Sequence, residues 1–137
     1  MALTKVTNNV LADNAVTVAK IADGSITVDK VAIEFTSSSA LTAAAVIPLS
    51  FSAAQVFTLT PTSNFSLNIT DAVTGISKAA VVTGGGASYT LAFLVNGVSG
   101  TFNKISGDYD DTAGKKNFIQ IMCVSGTEFW YSISQIA

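Results

Sequence analysis

Apolar and polar residues alternate with a period of two over most of the chain after residue 48. The alternation occupies six segments, at residues 56–60, 65–69, 79–83, 89–95, 118–124 and 129–136. Successive side chains of a strand point to opposite faces of a sheet, so this period predicts β-strands. Clusters of Gly, Ser, Asn and Asp separate the segments, as turns require. The pattern predicts an all-β sandwich or barrel over residues 49–137.

The N-terminal part of the chain contains a decapeptide repeat. Residues 11–20 (LADNAVTVAK) and 21–30 (IADGSITVDK) align without a gap, and Val31 begins a third copy that is not completed. An even step keeps a residue on one face of a strand, whereas it would rotate a helical position by about 80° in each repeat. A ribbon this short cannot offset its own ordering entropy of about 1–2 kcal/mol per residue. We therefore predict that residues 1–35 form an extended arm that orders on other copies of the chain or on another protein.

The apolar side chains of the arm are the predicted anchoring and oligomer contacts. They are Val16, Val18, Ile21, Ile26, Val28 and Val31. Each such side chain is worth roughly 1.5–3 kcal/mol when fully buried, so several together would dominate a small interface. The next residues, 36–48, are polar and then small and apolar, without charge, and they are predicted to be a linker into the sandwich.

Charge is scarce throughout the chain. Charged residues make up 12% of it, about half of the ~25% typical of soluble domains, and the seven basic residues include no Arg. With 49% hydrophobic residues, the chain has too few charges to cover the surface of a monomer, so we expect an assembly. A net charge of −2 gives no electrostatic footprint for nucleic acid. The longest apolar stretch is far shorter than the ~18 residues of a membrane span, and no signal peptide is evident, so we expect no membrane partner and assembly in a cytoplasm.

The residues available for catalysis are few, and we expect no enzyme and no cofactor. The sequence has no His, and seven of its nine acidic residues lie in the arm or in one loop, at residues 108–111. Cys123 is the single cysteine, and without a His to activate it we expect a small buried hydrophobe. The glycine-rich segment TGGGAS at residues 83–88 lacks the Lys-Ser/Thr of a phosphate loop and is interpreted as a hairpin turn.

Two groups of residues are candidates for surface recognition. They are Asp108, Tyr109, Asp110 and Asp111 in one loop, and Trp130 and Tyr131 on one strand. The carboxylates would suit a cation such as Ca²⁺, but the remaining ligands of a calcium loop are missing and Lys115 and Lys116 follow, so no metal site is predicted. Trp130 would suit sugar stacking, yet an aromatic strand more commonly gives one face to the core and the other to an intersubunit contact.

Two parts of the sequence resemble one group of proteins. The repeat IADGSITVDKV at residues 21–31 resembles repeats near the N-termini of bacteriophage fibre and virion-appendage proteins. The segments TLTPTSNFSLNI, GGGASYTLAF and GKKNFIQIMCVSGTEFWYS resemble the small β-domain at the ends of such proteins. The resemblance implies a homotrimer. The expected fold is an extended arm followed by a jelly-roll-like antiparallel β-sandwich that forms a trimeric knob.

The preferred functional hypothesis is a capsid decoration or cement protein of the virion, with the major capsid protein or another virion protein as its partner. Two decapeptides span at most ~66 Å at ~3.3 Å per residue, which suits a clamp better than a long reaching shaft. The alternative hypothesis is a short tail or head fibre whose knob recognises a receptor on the host surface. Copy number in the particle distinguishes the two.

Overall fold

The computed structural model describes residues 26, 27 and 30–136. The chain divides into two units, Met1–Val31 and Ala32–Ala137, and the described helix and strands lie in the second. The helix, α1, is the single turn Ile33–Thr36. The strands are β1 (Ser38–Ala40), β2 (Val46–Ser50), β3 (Val56–Leu59), β4 (Phe65–Thr70), β5 (Ser77–Thr83), β6 (Leu91–Val95), β7 (Thr101–Ser106), β8 (Lys116–Ser125) and β9 (Glu128–Ile136).

The strands form two sheets, and the chain crosses between them after each of the first six strands. The large sheet has six strands in the order β1-β3-β5-β8-β9-β7, and the small sheet has three in the order β2-β4-β6. Since alternate strands run in the same direction, β1/β3, β3/β5, β2/β4 and β4/β6 are parallel pairs, and β7/β9 is a fifth. Only β5/β8 and β8/β9 are antiparallel among the described strands.

One hydrophobic core lies between the sheets and takes every second residue of their strands. The small sheet contributes residues such as Ile47, Leu67 and Ile69, which are fully buried. Aromatic rings connect the two sides: Phe93 of β6 stacks on Phe102 of β7 with ring centroids 5.0 Å apart. Such pairs add to area burial, so they favour this packing of the sheets.

The structure confirms the all-β prediction, but the expected antiparallel jelly roll is not shown. Antiparallel pairing is found at the C-terminal hairpin β8/β9 and where that hairpin joins β5. The interpretation of residues 83–88 as a hairpin turn is wrong, because β5 and β6 on either side lie in different sheets. Alternation within a strand gives its face but not its neighbour, so the sequence did not distinguish a hairpin from a crossover between sheets.

The predicted linker at residues 36–48 is part of the sandwich. It contains β1 and the first three residues of β2, so the folded unit begins at Ala32 rather than at residue 49. The sequence did not predict β2 because Pro48 lies within it, and a proline has no backbone N–H to donate to a strand ladder. In the structure β2 lies at an edge of the small sheet, where it has one neighbour, β4.

We predict that Phe129→Ala lowers the free energy of unfolding by about 3–5 kcal/mol, because it leaves a cavity in the core. Phe129 is fully buried, stacks on Phe102 at 5.1 Å and meets Phe51 edge-on. Val98→Ala is the control, since Val98 is 65% exposed and its truncation should cost less than about 0.5 kcal/mol. Urea unfolding measures both values, and similar losses for the two variants would contradict this core.

Candidate interaction surfaces

Asp111 joins two loops at one end of the sandwich. Its Oδ1 accepts hydrogen bonds from the Gly85 amide (2.8 Å) and the Tyr109 hydroxyl (2.7 Å). Its Oδ2 accepts from the amides of Ala87 (3.0 Å) and Tyr89 (2.8 Å). A carboxylate offers about four acceptor positions, and all four are occupied here. The carboxylate therefore acts as a structural tie between the β5–β6 loop and the β7–β8 loop.

The same contacts control the charge of the Asp111 carboxyl. Burial alone would raise its pKa, but the hydrogen bonds from Gly85, Tyr109, Tyr89 and Ala87 outweigh burial and lower the pKa to about 2. Tyr109 responds in the opposite direction: burial, and then its hydrogen bond to Asp111, raise the pKa of the phenol. The pair is thus an ionised carboxylate beside a neutral phenol at neutral pH.

The glycines of residues 84–86 permit the close approach of the two loops. A Cβ on Gly84 would lie 2.2 Å from the carbonyl oxygen of Thr112, and one on Gly86 would lie 2.8 Å from the Cβ of Ala113. Gly86 also has a φ of +81°, in the left-handed region. The glycine-rich segment is therefore explained by packing against the Asp111 loop.

Asn117 of β8 and Gln135 of β9 form hydrogen bonds that hold the β7–β8 loop, which contains Asp111 and is called the Asp111 loop. Asn117 is fully buried; its Oδ1 accepts from the Asp110 amide (2.8 Å), and its Nδ2 donates to the carbonyl oxygens of Asp110 (2.8 Å) and Val82 (3.2 Å). Gln135 donates through Nε2 to Asn117 Oδ1 at 3.2 Å. Sequence reasoning missed both residues, although each is polar at a position that alternation assigns to the core side of its strand.

The other two carboxylates of the predicted recognition loop have separate partners. Asp108 forms an exposed ion pair with Lys104 at 2.6 Å, and Asp110 Oδ1 accepts from the Thr112 amide at 2.9 Å. Among the described residues, no three His, Cys, Asp or Glu side chains converge in a way that could hold a metal ion. What the loop does present is an open polar groove, the Asp111 groove, lined by Ser88, Tyr89, Asp108, Tyr109, Thr112 and Gln135 among others.

The structure separates Trp130 from Tyr131 and from the Asp111 groove. Tyr131 faces the core side, where its ring lies 4.7 Å from that of Phe93, whereas Trp130 points away from the core and is 42% exposed. Trp130 is held in place by a hydrogen bond from its Nε1 to Glu128 Oε1 at 3.0 Å. The six predicted recognition residues therefore do not form one site.

The side of the large sheet that faces away from the core is a second surface, which we call the outer face. It consists of the outward residues of β3, β5, β7, β8 and β9. Its exposed large apolar residues are Ile105, Met122, Trp130 and Ile136. The remaining outward positions include small or polar residues such as Ala79, Gln120 and Ser132. Ile105, Met122 and Trp130 line one depression on this face, and an exposed apolar cluster of this kind is typical of a surface that contacts protein.

Lys78 is a buried charge that the sequence analysis did not single out. Its Nζ donates to the carbonyl oxygen of Glu34 in α1 and lies 4.9 Å from the centroid of the Phe35 ring. Burial lowers the pKa of Lys78, and the charge of Glu34 partly opposes this effect. In the sequence, Lys78 lies two and four residues before Ala80 and Val82 of β5, both of which are buried, and this spacing places Lys78 on the same, core side of the strand. Lys78 thus attaches α1 to the large sheet.

Of the predicted anchoring residues, two lie in the part of the chain that is described. Ile26 is 60% exposed and Val31 is 39% exposed. The other four, Val16, Val18, Ile21 and Val28, lie outside the described residues, so their role stays a prediction.

Comparison with protein-family models, with curated proteins and with solved structures finds no match to this chain. Within the described residues, no helix has the length and apolar character that crossing a membrane requires.

We predict that Asp111→Asn destabilises the protein by about 2–4 kcal/mol at neutral pH. The NH₂ group of asparagine would replace one of the two oxygens that now accept hydrogen bonds from backbone N–H groups, so donors would face a donor. The loss should shrink as the pH falls from about 4 towards about 2. The lowered pKa of Asp111 means that its stabilisation is present above the unfolded pKa and disappears as the folded carboxylate becomes protonated.

Urea unfolding across this pH range measures the effect. Asp108→Asn is the matched control, because the ion pair between Asp108 and Lys104 is exposed to solvent and should contribute little to stability. A destabilisation by Asp111→Asn that is the same at pH 7 and pH 2 would exclude the carboxylate as the tie between the loops.

Proposed function

We propose that the protein is a structural protein of a bacteriophage virion, specifically a capsid decoration or cement protein. The observation that carries the proposal is the outer face, whose exposed apolar residues include Trp130 and Met122. A surface of this kind, on a chain with 12% charged residues, favours a permanent place in a protein assembly. The resemblance of residues 21–31 to virion-appendage repeats indicates which kind of assembly.

The two units of the chain have different tasks in this proposal. The arm anchors the protein to the major capsid protein or another virion protein, through apolar side chains such as Val18 and Val28. Three arms together would bury side chains that a single ribbon leaves in water, which supports a homotrimer. The sandwich is the exposed knob, and assembly takes place in the cytoplasm of the bacterial host. The proposal includes no catalytic activity and no cofactor.

The second candidate is a short tail or head fibre, and the Asp111 groove is the observation that favours it. Asp108 and Tyr89 both line this open groove. Carboxylates and aromatic rings together suit a polar ligand such as a sugar on the host surface. In a fibre this end of the sandwich would contact the receptor.

Copy number in purified particles tests decoration against fibre. We expect an amount close to that of the major capsid protein, because a cement protein covers the capsid lattice, whereas a fibre is present in a few dozen copies at most. Quantitative gel densitometry of virions from the phage that encodes the chain measures the ratio. A few dozen copies would favour the fibre, and complete absence from particles would exclude both.

The arm is tested by Val18→Asp together with Val28→Asp in the full-length protein. Burying these charges in the anchoring contact is costly, so we expect capsid binding to weaken by at least about 100-fold. The matched control is Thr17→Asp with Thr27→Asp, which adds the same charge at the alternate positions of each repeat. Co-sedimentation with capsids that lack the native protein measures binding, and equal binding by both double variants would exclude the apolar side of the arm as the anchor.

A further inference from the structure

We propose that the outer face pairs with the outer face of a second copy of this chain, about a two-fold axis that lies in the contact plane and runs perpendicular to the strands. The inference concerns how the sandwich units associate, and it does not rest on the virion assignment. Its basis is the arrangement of charged and aromatic side chains on the outer face, which is complementary to itself.

The outer face carries two charges of opposite sign at opposite ends. Among the outward residues of the strands that form it, Lys116 and Glu128 are the charged ones. Gln120 of β8 pairs with Ser132 of β9 at the centre. Lys116 and Glu128 each lie four residues before their central residue, and the two strands are antiparallel. Each charge is therefore about 13 Å from the centre, in opposite directions along the strands.

A two-fold rotation about the central pair brings these opposite charges together. Because the axis is perpendicular to the strands, the Lys116 end of one copy lies over the Glu128 end of the other. An isologous contact repeats every interaction, so two ion pairs form, one at each end of the interface. The opposite orientation, with strands of the two copies parallel, would place Lys116 over Lys116 and is disfavoured.

The aromatic residues of the outer face follow the same symmetry. Trp130 and its cross-strand partner Met122 lie two residues to one side of the central pair, and Phe118 and its partner Ser134 lie two residues to the other side. After the rotation, Trp130 of one copy lies over Phe118 and Ser134 of the other. The small Ser134 leaves room for the indole, and a buried Trp is the commonest kind of residue to dominate an interface.

Both charged groups have free capacity for such a contact. Glu128 uses Oε1 to accept from Trp130 Nε1 and from Asn103 Nδ2, and its Oε2 accepts from no described residue. Lys116 forms no ion pair within the described part of the chain. The hydrogen bond from Trp130 also orients the Glu128 carboxylate before association, which reduces the entropy lost on pairing.

Pairing through the edges of the large sheet is less favourable than pairing through its face. At one edge, the ladder between β7 and β9 is interrupted by an irregularity between Lys104 and Ser106. At the other edge, β1 is only three residues long. An interrupted edge that carries a lysine and a very short edge strand are two features by which proteins prevent strand addition.

Charge reversal in the full-length protein tests the pairing. We expect the wild-type protein to form assemblies with an even number of copies. The assembly is a dimer if the arms do not associate, and a hexamer if the arms join the copies in threes and the outer faces join two such trimers. Lys116→Glu should halve the assembled mass at micromolar concentration, with an affinity loss of at least about 10-fold, because Glu then faces Glu128 at both ends. Combining it with Glu128→Lys restores opposite charges and should restore the wild-type mass.

The matched control is the double reversal Lys104→Glu with Asp108→Lys, which inverts a surface ion pair beside the Asp111 groove and leaves the net charge unchanged. It should not change the mass. Trp130→Ser should weaken pairing by at least about 30-fold. Sedimentation equilibrium measures mass, and circular dichroism checks that each variant is folded. A monomer or a trimer as the largest wild-type species, or a folded Lys116→Glu variant of unchanged mass, would overturn the proposal.

Discussion

The hydrogen bonds to the Asp111 carboxylate connect parts of the sandwich that no strand ladder joins. The β5–β6 loop carries the chain from the large sheet to the small one, and the β7–β8 loop carries it from the edge of the large sheet to its interior. Backbone hydrogen bonds from Gly84 N to Lys115 O (2.7 Å), from Gly86 N to Asp111 O (2.8 Å) and from Gly114 N to Gly84 O (3.1 Å) also join the two loops. The Asp111 carboxylate accepts hydrogen bonds from three amides of the β5–β6 loop and from the Tyr109 hydroxyl of its own β7–β8 loop. It therefore holds the two loops together. Strand β8 itself is positioned by its ladders with β5 and β9, and the Asp111 tie fixes the two loops beyond the end of the β5/β8 ladder, where Thr83 lies opposite Lys116.

The core side of the large sheet carries a buried polar side chain towards each end of the β5/β8 ladder. At one end, Asn117 is satisfied by Asp110, Val82 and Gln135. At the other, Lys78 is covered by α1. No buried side-chain nitrogen or oxygen among the described residues lacks a hydrogen-bond partner. Buried polar groups of this kind cost free energy unless they are paired, so they fix the register of the strands that carry them.

Local alternation was enough to predict most strands but not their neighbours. The six periodic segments correspond to β3, β4, β5, β6, β8 and β9, because a half-buried strand shows its period directly in the sequence. The strands β1 and β2 were assigned to a linker, since the first is short and polar and the second contains Pro48. Parallel pairing depends on crossings between sheets, which is a long-range property that no window of ten residues contains. The loop at residues 108–111 was recognised as a candidate site, yet the role of Asp111 in it depends on amides more than twenty residues away.

The insertion of the β8–β9 hairpin between β5 and β7 makes one edge of the large sheet depend on the hairpin. The described ladders give β7 a single neighbour, β9, which is the last of the described strands. The ladder between them begins with Thr101 opposite Glu128, so the whole of β8 lies between the two strands along the chain. Strand β9 in turn is joined to the rest of the large sheet through β8, which pairs with β5. Closing this edge of the large sheet therefore requires the β8–β9 hairpin to be in place, and without the hairpin β7 has no strand beside it.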